Sequence, residues 1–275
     1  MKKRWVLLLA MAVSAAVTNA SNRNDIPSCY DMANVSELKP TQVERELFVI
    51  IDKTVNLNTS LKESVHKQMN RFNRSGDKIT IVTFSALAEG DYTDIVFSGA
   101  FEPSLSKKDR NAMNRNKLRN LENCLVNQKS AIKPIHGRLA SAFPSEQDSY
   151  PRTELVGTLL NLSNDLVAPS NAQKKVVLVV SDMLENSETL SFYRNGSVYV
   201  TDADKALTTI EESGFQGNFD QSDIYVIGAG YIEGAKRYSS QKSVNELENF
   251  WRSIFSSSNG NLKAFGKPSL LTQIQ

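Results

Sequence analysis

The sequence predicts an α/β fold: a doubly wound, mostly parallel central sheet with helices on both faces and one helical insertion. Three observations carry this. Apolar runs rich in β-branched residues at 47–51, 175–181 and 223–229 have the length and composition of strands buried on both faces. Between and after them, apolar residues recur at the spacing of one helix face, as in Leu61, Val65, Met69 and Phe72. Strands alternating with helices over this length indicate a sheet covered on both sides.

At 275 residues, 40% hydrophobic and 23% charged, the chain can bury a full core, and its composition excludes the disordered and low-complexity classes. Lys2, Lys3 and Arg4 precede an apolar run from Trp5 to Val17, and Thr18 and Ala20 stand at −3 and −1 of a cleavage before Ser21. Residues 1–20 therefore read as a secretory signal peptide, and the expected location is periplasmic or secreted. The apolar run is short of the roughly 20 residues that cross a bilayer, so no membrane span is expected after cleavage. Cleavage removes three positive charges and no acidic ones, moving the formal balance from +2 to −1. A nearly neutral surface has no global attraction for nucleic acid, and no such partner is expected. Two cysteines in an exported chain, Cys29 and Cys124, are expected to form a disulfide.

Taken in order, 21–44 is polar, contains Pro27 and Pro40, lacks periodicity and reads as an extended N-terminal arm. The body runs over 45–266 and a tail over 267–275. After the first strand and the helix carrying Leu61, Gly76 marks a turn into a second strand at 78–85. Residues 93–101 alternate as its hairpin partner through Glu89-Gly90-Asp91. A helical insertion at about 104–143 carries Lys107, Lys108, Arg110, Arg115, Lys117 and Arg119, which read as a solvated face, and Pro134, which should break or kink it. Next come a loop at 143–152, a helix with Leu155, Leu159, Leu160, Leu162 and Leu166, and the strand at 175–181. A polar excursion through Gly196 and Tyr199 leads to a helix at 203–213, the strand at 223–229, a helix at 242–256, and 262–265, which can close the sheet.

Asp52, Thr54 and Asn56 follow the first central strand at alternate positions. Helix-capping chemistry explains them as readily as a hard divalent cation does, because side-chain oxygens serve both. Thr153 and Asp182 also lie at strand–helix junctions, so a doubly wound sheet places all of these residues on one rim. Phe192, Tyr193 and Tyr199 lie in the excursion after Asp182, where they either contact a partner or pack a short hairpin. His66 and His136 are far apart in sequence, lack metal-ligand spacing and read as surface or capping residues. Gly228 and Gly230 read as a tight strand-to-loop turn.

These motifs resemble the von Willebrand factor type A family over about 45–266. Asp52-Lys53-Thr54-Val55-Asn56 stands where that family has Asp-x-Ser-x-Ser, Thr153 where it has its threonine loop, and Ser181-Asp182 at its third motif; the stretch at 76–85 is similar to its turn and second strand. The resemblance implies a metal-ion-dependent adhesion site. Thr54, Asn56 and Thr153 would touch magnesium or manganese, Asp52 and Asp182 would balance its charge, and a partner protein's acidic side chain would complete the shell. Two departures bear on it: Asn56 replaces a serine, and Met183 stands where glycine is common.

Two other functions stay open. Asp52-Lys53-Thr54 also resembles the nucleophile loop of haloacid-dehalogenase-type phosphohydrolases, with Asp52 attacking, Thr83 at phosphate and Asp182 on magnesium. Against an enzyme, Val55-Asn56-Leu57 lacks the second acid or glycine–threonine pair of that loop. The third is a metal-free structural subunit of an envelope assembly.

Overall fold

The structure, a computed structural model, describes residues 23–85, 93–145, 153–194, 197–200, 203–232, 237–266, 270 and 273–274. The expected signal peptide, the 89–91 turn, Arg152 and Gly196 lie outside them.

Six strands form the main sheet: β1 (Arg45–Asp52), β2 (Asp77–Phe84), β3 (Thr93–Ala100), β4 (Lys174–Val180), β5 (Asp223–Ile227) and β6 (Asn261–Gly266). Their spatial order is β6-β5-β4-β1-β2-β3, parallel throughout except that β3 runs antiparallel on the β2 edge. This is the doubly wound architecture that the sequence predicts. The helices are α1 (Cys29–Met32), α2 (Thr59–Met69), α3 (Lys107–Ala112), α4 (Arg115–Gln128), α5 (Ile132–Ala142), α6 (Leu155–Leu162), α7 (Ala203–Glu212) and α8 (Gln241–Ser257).

Strand alternation divides the core into two layers. Leu47, Val49 and Ile51 of β1 join Val176, Leu178 and Val180 of β4 beneath α2 and α5. Phe48 and Ile50 join Val177 and Val179 on the opposite face, beneath α6, α7 and α8. Each such side chain, fully buried, contributes about 1.5–3 kcal/mol, so the middles of β1 and β4 are apolar, and the buried Glu46 and Lys175 near their starts are each paired with an opposite charge. Asp52 comes where β1 leaves the core. Asn58 then starts α2, its side chain accepting from the Leu61 amide at 3.0 Å.

The N-terminal arm is more ordered than its composition suggests. It buries Ile26, Tyr30, Ala33 and Val35, and the Asp25 amide donates to the Ser98 carbonyl of β3 at 2.7 Å. The short α1 receives the disulfide, Cys29 to Cys124 of α4, as expected. Hydrophobic spacing missed this because a four-residue helix shows no period.

In the insertion, the break precedes Pro134. A single 3₁₀ turn at Lys129–Ala131 separates α4 from α5, and Pro134 falls in the first turn of α5, where a missing N–H costs little. The basic side chains of α3 and α4 are exposed. The excursion after Asp182 forms a two-stranded hairpin, Tyr193–Arg194 against Ser197–Val198. A second small pair, Tyr231–Ile232 against Arg237–Tyr238, follows β5. No helix among the described residues is long and apolar enough to cross a membrane.

Candidate functional site

Beyond β1 the chain turns to β2, and beyond β4 it turns to β5, so the loops leave the two neighbouring strands in opposite directions. Ligands of doubly wound sheets bind at such a switch point. Asp52 ends β1, and Ser181 and Asp182 follow β4 directly.

Asp52 is buried, with 1% of its surface exposed. Its Oδ1 accepts from the Thr54 amide at 2.8 Å and from the Thr54 hydroxyl at 2.5 Å, while its Oδ2 accepts from the Ser181 hydroxyl at 2.7 Å. The Thr153 hydroxyl, arriving from the loop before α6, donates to Thr54 Oγ1 at 2.8 Å. Three loops thus meet at one carboxylate. Burial pushes the Asp52 carboxyl above the usual range, opposed by its bonds from Thr54 and Ser181.

Thr153 is held on both sides. Its backbone exchanges two hydrogen bonds with Asn186, at 3.2 and 3.0 Å, which fastens it to the loop after β4. One residue earlier, Glu185 reaches the start of α6, where its Oε2 accepts from the Leu155 and Val156 amides at 2.8 and 2.9 Å. A carboxylate from a distant loop therefore caps this helix, in place of the usual neighbouring hydroxyl. Burial raises the Glu185 pKa to about 7 despite these bonds.

The loop after β4 is shaped by backbone constraints. Met183 adopts φ +62°, its amide donates to Ser181 Oγ at 2.9 Å, and its carbonyl accepts from the Trp251 indole at 2.9 Å. A left-handed non-glycine residue is costly, and this is the position where the resembled family has glycine. Opposite it, Gly228 has φ +101°, and an added Cβ would stand 2.9 Å from the Ser181 carbonyl oxygen. The Gly230 amide donates to the Asp182 carbonyl at 2.7 Å. The two glycines thus form the tight turn that the sequence suggests, packed against the site loop.

Asn56 stands apart from the hydroxyl cluster in one respect: its Oδ1 accepts from the Lys62 ammonium at 2.9 Å. The side chain that the resemblance assigns to the ion is engaged by a cation of the protein itself. Asp182 is half-buried, and its Oδ1 accepts from the Leu184 amide at 2.9 Å. Tyr193 lies close enough to Asp182 and Asp52 that both charges, after burial, raise its hydroxyl's pKa. Tyr193 and Tyr199 are 43% and 52% exposed, but Phe192 is fully buried. Phe192 packs edge-on against Phe250 at 4.9 Å and anchors the hairpin from below, so it is not placed to meet a partner. Thr83 is buried in β2, opposite Ile51.

Among the described residues, no three His, Cys, Asp or Glu side chains form a metal-binding group. The donors at this site are instead hydroxyls flanked by carboxylates, an all-oxygen set suited to a hard divalent cation. A buried Asp52 whose partners are hydroxyls and an amide fits such a cation, which would offset the cost of its charge. Ser181 was read only as part of the third motif, with no role for its hydroxyl, and Glu185 was not singled out from the sequence, being 30 residues from the helix that it caps.

The fold and rim define a doubly wound α/β protein with a cluster of hydroxyls and carboxylates at its switch point. No protein-family model matches the chain, and neither does any curated protein sequence. Solved structures align with it at low similarity. The pilus adhesin SpaC from Lactobacillus rhamnosus GG, in an open conformation, is 14% identical with a TM-score of 0.37, over 82% of this chain and 28% of that one. The vWF domain of the type V pili tip protein Mfa5 from Porphyromonas gingivalis is 13% identical with a TM-score of 0.27, over 53% of this chain and 40% of that one. The chain therefore spans well under half the length of either. Likeness this low carries no argument about function, and the fold class stands on strand order and register.

Proposed function

We propose that this chain is an exported von Willebrand type A-like recognition module that binds a partner protein through the rim at Asp52, Thr153 and Asp182. The observation that carries the reading is the network joining Thr54, Thr153 and Ser181 to the buried Asp52 carboxylate, since it gathers three loops at the switch point. Magnesium or manganese suits the donor set; Thr54, Thr153, Asp52 and Asp182 would hold it, and Asn56 would join them by releasing Lys62. Such an ion supplies a positive centre for a partner's acidic side chain. Tyr193 and Tyr199, exposed beside the rim, suit the contact ring around that centre. The disulfide supports export to an oxidising compartment.

Phosphoryl transfer is the less supported alternative, because Asp52 is buried with both oxygens hydrogen-bonded, whereas a nucleophile must reach phosphorus. A metal-free structural subunit is the third reading.

The test is a thermal melt in EDTA, then in Mg2+ or Mn2+, for wild type and Thr153→Val, followed by capture of envelope proteins on each immobilised form. A cation at a hundredfold excess over its Kd adds about 2.7 kcal/mol, a rise of roughly 5–10 °C. The expected result is a rise and a cation-dependent capture, both lost in Thr153→Val. Equal melting in EDTA and cation, with capture unaffected by Thr153→Val, would overturn the proposal.

A further inference from the structure

The two histidines, 70 residues apart in sequence, meet across α2 and α5. His66 Nδ1 lies 2.7 Å from His136 Nδ1, and His136 Nε2 lies 2.6 Å from Asn70 Oδ1. An amide oxygen only accepts, so His136 Nε2 carries the proton and donates it to Asn70. His136 Nδ1 is therefore a bare lone pair aimed at His66, and His66 Nδ1 supplies the single proton between the rings. The surface-or-capping reading of these residues is thereby corrected: each is part of a pair.

We propose that this pair is a second metal site, a two-imidazole clasp for a tetragonal divalent ion, Cu2+ first and Ni2+ behind it, that ties α5 to α2. The ion binds both Nδ1 atoms as His66 changes tautomer, its proton moving from Nδ1 to Nε2 through water, so both rings ligate as neutral imidazoles. With metal–nitrogen bonds near 2.0 Å, two imidazoles place their nitrogens about 2.8 Å apart at a right angle and about 3.3 Å apart at the tetrahedral angle; nitrogens 2.7 Å apart reach either by a small opening, and the divalent affinity order then favours Cu2+.

The ring centroids are 4.9 Å apart, so the lone pairs now face each other almost head-on. Each ring needs a turn of roughly 40–45° for the lone pairs to converge on an ion near a right angle, within reach because histidine χ2 has a broad well. Asn70 already orients His136 from behind, as a hydrogen-bonded outer partner does for a metal-bound imidazole. Burial lowers the pKa of both rings, and His66 lowers that of His136 further, which favours the neutral, ligating form at neutral pH. Phe143 flanks His66 at 6.2 Å, and both histidines are partly exposed, so water can fill the remaining positions. Nitrogen ligands separate this site from the all-oxygen rim. Both cysteines are in the disulfide, so no thiol competes for copper.

The test titrates copper sulfate into the purified exported chain, free of any histidine tag, with excess Mg2+ present to fill a hard-ion site elsewhere. Electron paramagnetic resonance and equilibrium dialysis supply the readouts. The expected result is one saturable Cu2+ per chain with splitting from two imidazole nitrogens, absent in His66→Gln and in His136→Gln. Asn70→Ala keeps both ligands and should weaken Cu2+ binding by about 10- to 100-fold. Should either histidine variant fail to fold, the wild-type spectrum and Asn70→Ala decide the matter. No saturable copper, fewer than two imidazole nitrogens in the spectrum, or binding unchanged in the folded variants would overturn the proposal and leave a hydrogen-bonded pair only.

Discussion

Ser181→Ala tests the physical account of the rim most directly, because one hydroxyl serves two buried groups. It donates to Asp52 Oδ2 at 2.7 Å and accepts from the Met183 amide at 2.9 Å. Asp52 is 1% exposed and Met183 fully buried, so water cannot replace either bond without opening the loop. A hydrogen bond to a carboxylate is worth about 1.5–3 kcal/mol, and stranding a buried amide costs about 1–3 kcal/mol. Partial relaxation of the loop reduces the sum, and the expected loss is about 3 kcal/mol. In a chain of this size that lowers the melting temperature by roughly 6–12 °C. Urea unfolding at pH 8 in EDTA measures the change without a contribution from bound cation. Ser130→Ala is the control: its hydroxyl is exposed and bonds only the Asn127 carbonyl, so a change within about 0.5 kcal/mol is expected. A Ser181→Ala protein as stable as that control would refute the claim that this hydroxyl organises the site.

Two further predictions concern the frame around the rim. Glu185 has its pKa raised from 4.5 to about 7, so between those values the folded state binds more protons than the unfolded state, and stability falls as pH rises through that window. Unfolding at pH 5 and pH 8 should differ by up to roughly 3 kcal/mol from this group, and Glu185→Gln, which never ionises, should flatten that slope; an unchanged slope would place the titration elsewhere. The disulfide joins residues 95 apart, and by chain entropy its reduction should cost about 4–5 kcal/mol, a fall in melting temperature on the order of 10 °C. Identical melts with and without dithiothreitol, once thiol titration confirms reduction, would show that the arm is held by packing alone.

The legible parts of this fold are those with a local signature. A strand buried on both faces is apolar through its middle, so β1, β4 and β5 stand out as apolar runs with charged residues only at their ends. Asp52, Thr54 and Thr153 were legible for the same reason, since each is a polar residue placed just where an apolar element begins or ends. Features that depend on two distant segments docking left no such trace. Lys62 takes the Asn56 amide oxygen, Glu185 caps α6, and His66 finds His136 only because α5 packs over the sheet beside α2. The arm was misjudged for a related reason: Ile26, Tyr30 and Val35 are buried against β3 and the insertion without any periodicity of their own. Phe192 settles on one of the two readings left open for it, packing beneath the hairpin, because polar neighbours in sequence do not say which side chain faces the core.

The Cys29–Cys124 bond makes a covalent ring that encloses β1, β2 and β3 and leaves β4, β5 and β6 outside. In a chain delivered from its N-terminus, the ring can close once residue 124 has arrived, before the second half of the sheet exists. Asp52 and Thr54 lie within this early unit, whereas Thr153, Ser181 and Asp182 come with the late one. During that interval β1 presents a bare edge, and the Asp52 carboxyl lacks its Ser181 donor. The order of delivery thus makes the rim the seam along which the two halves of the molecule are joined, completed only when β4 docks on β1 and exposed again if they separate.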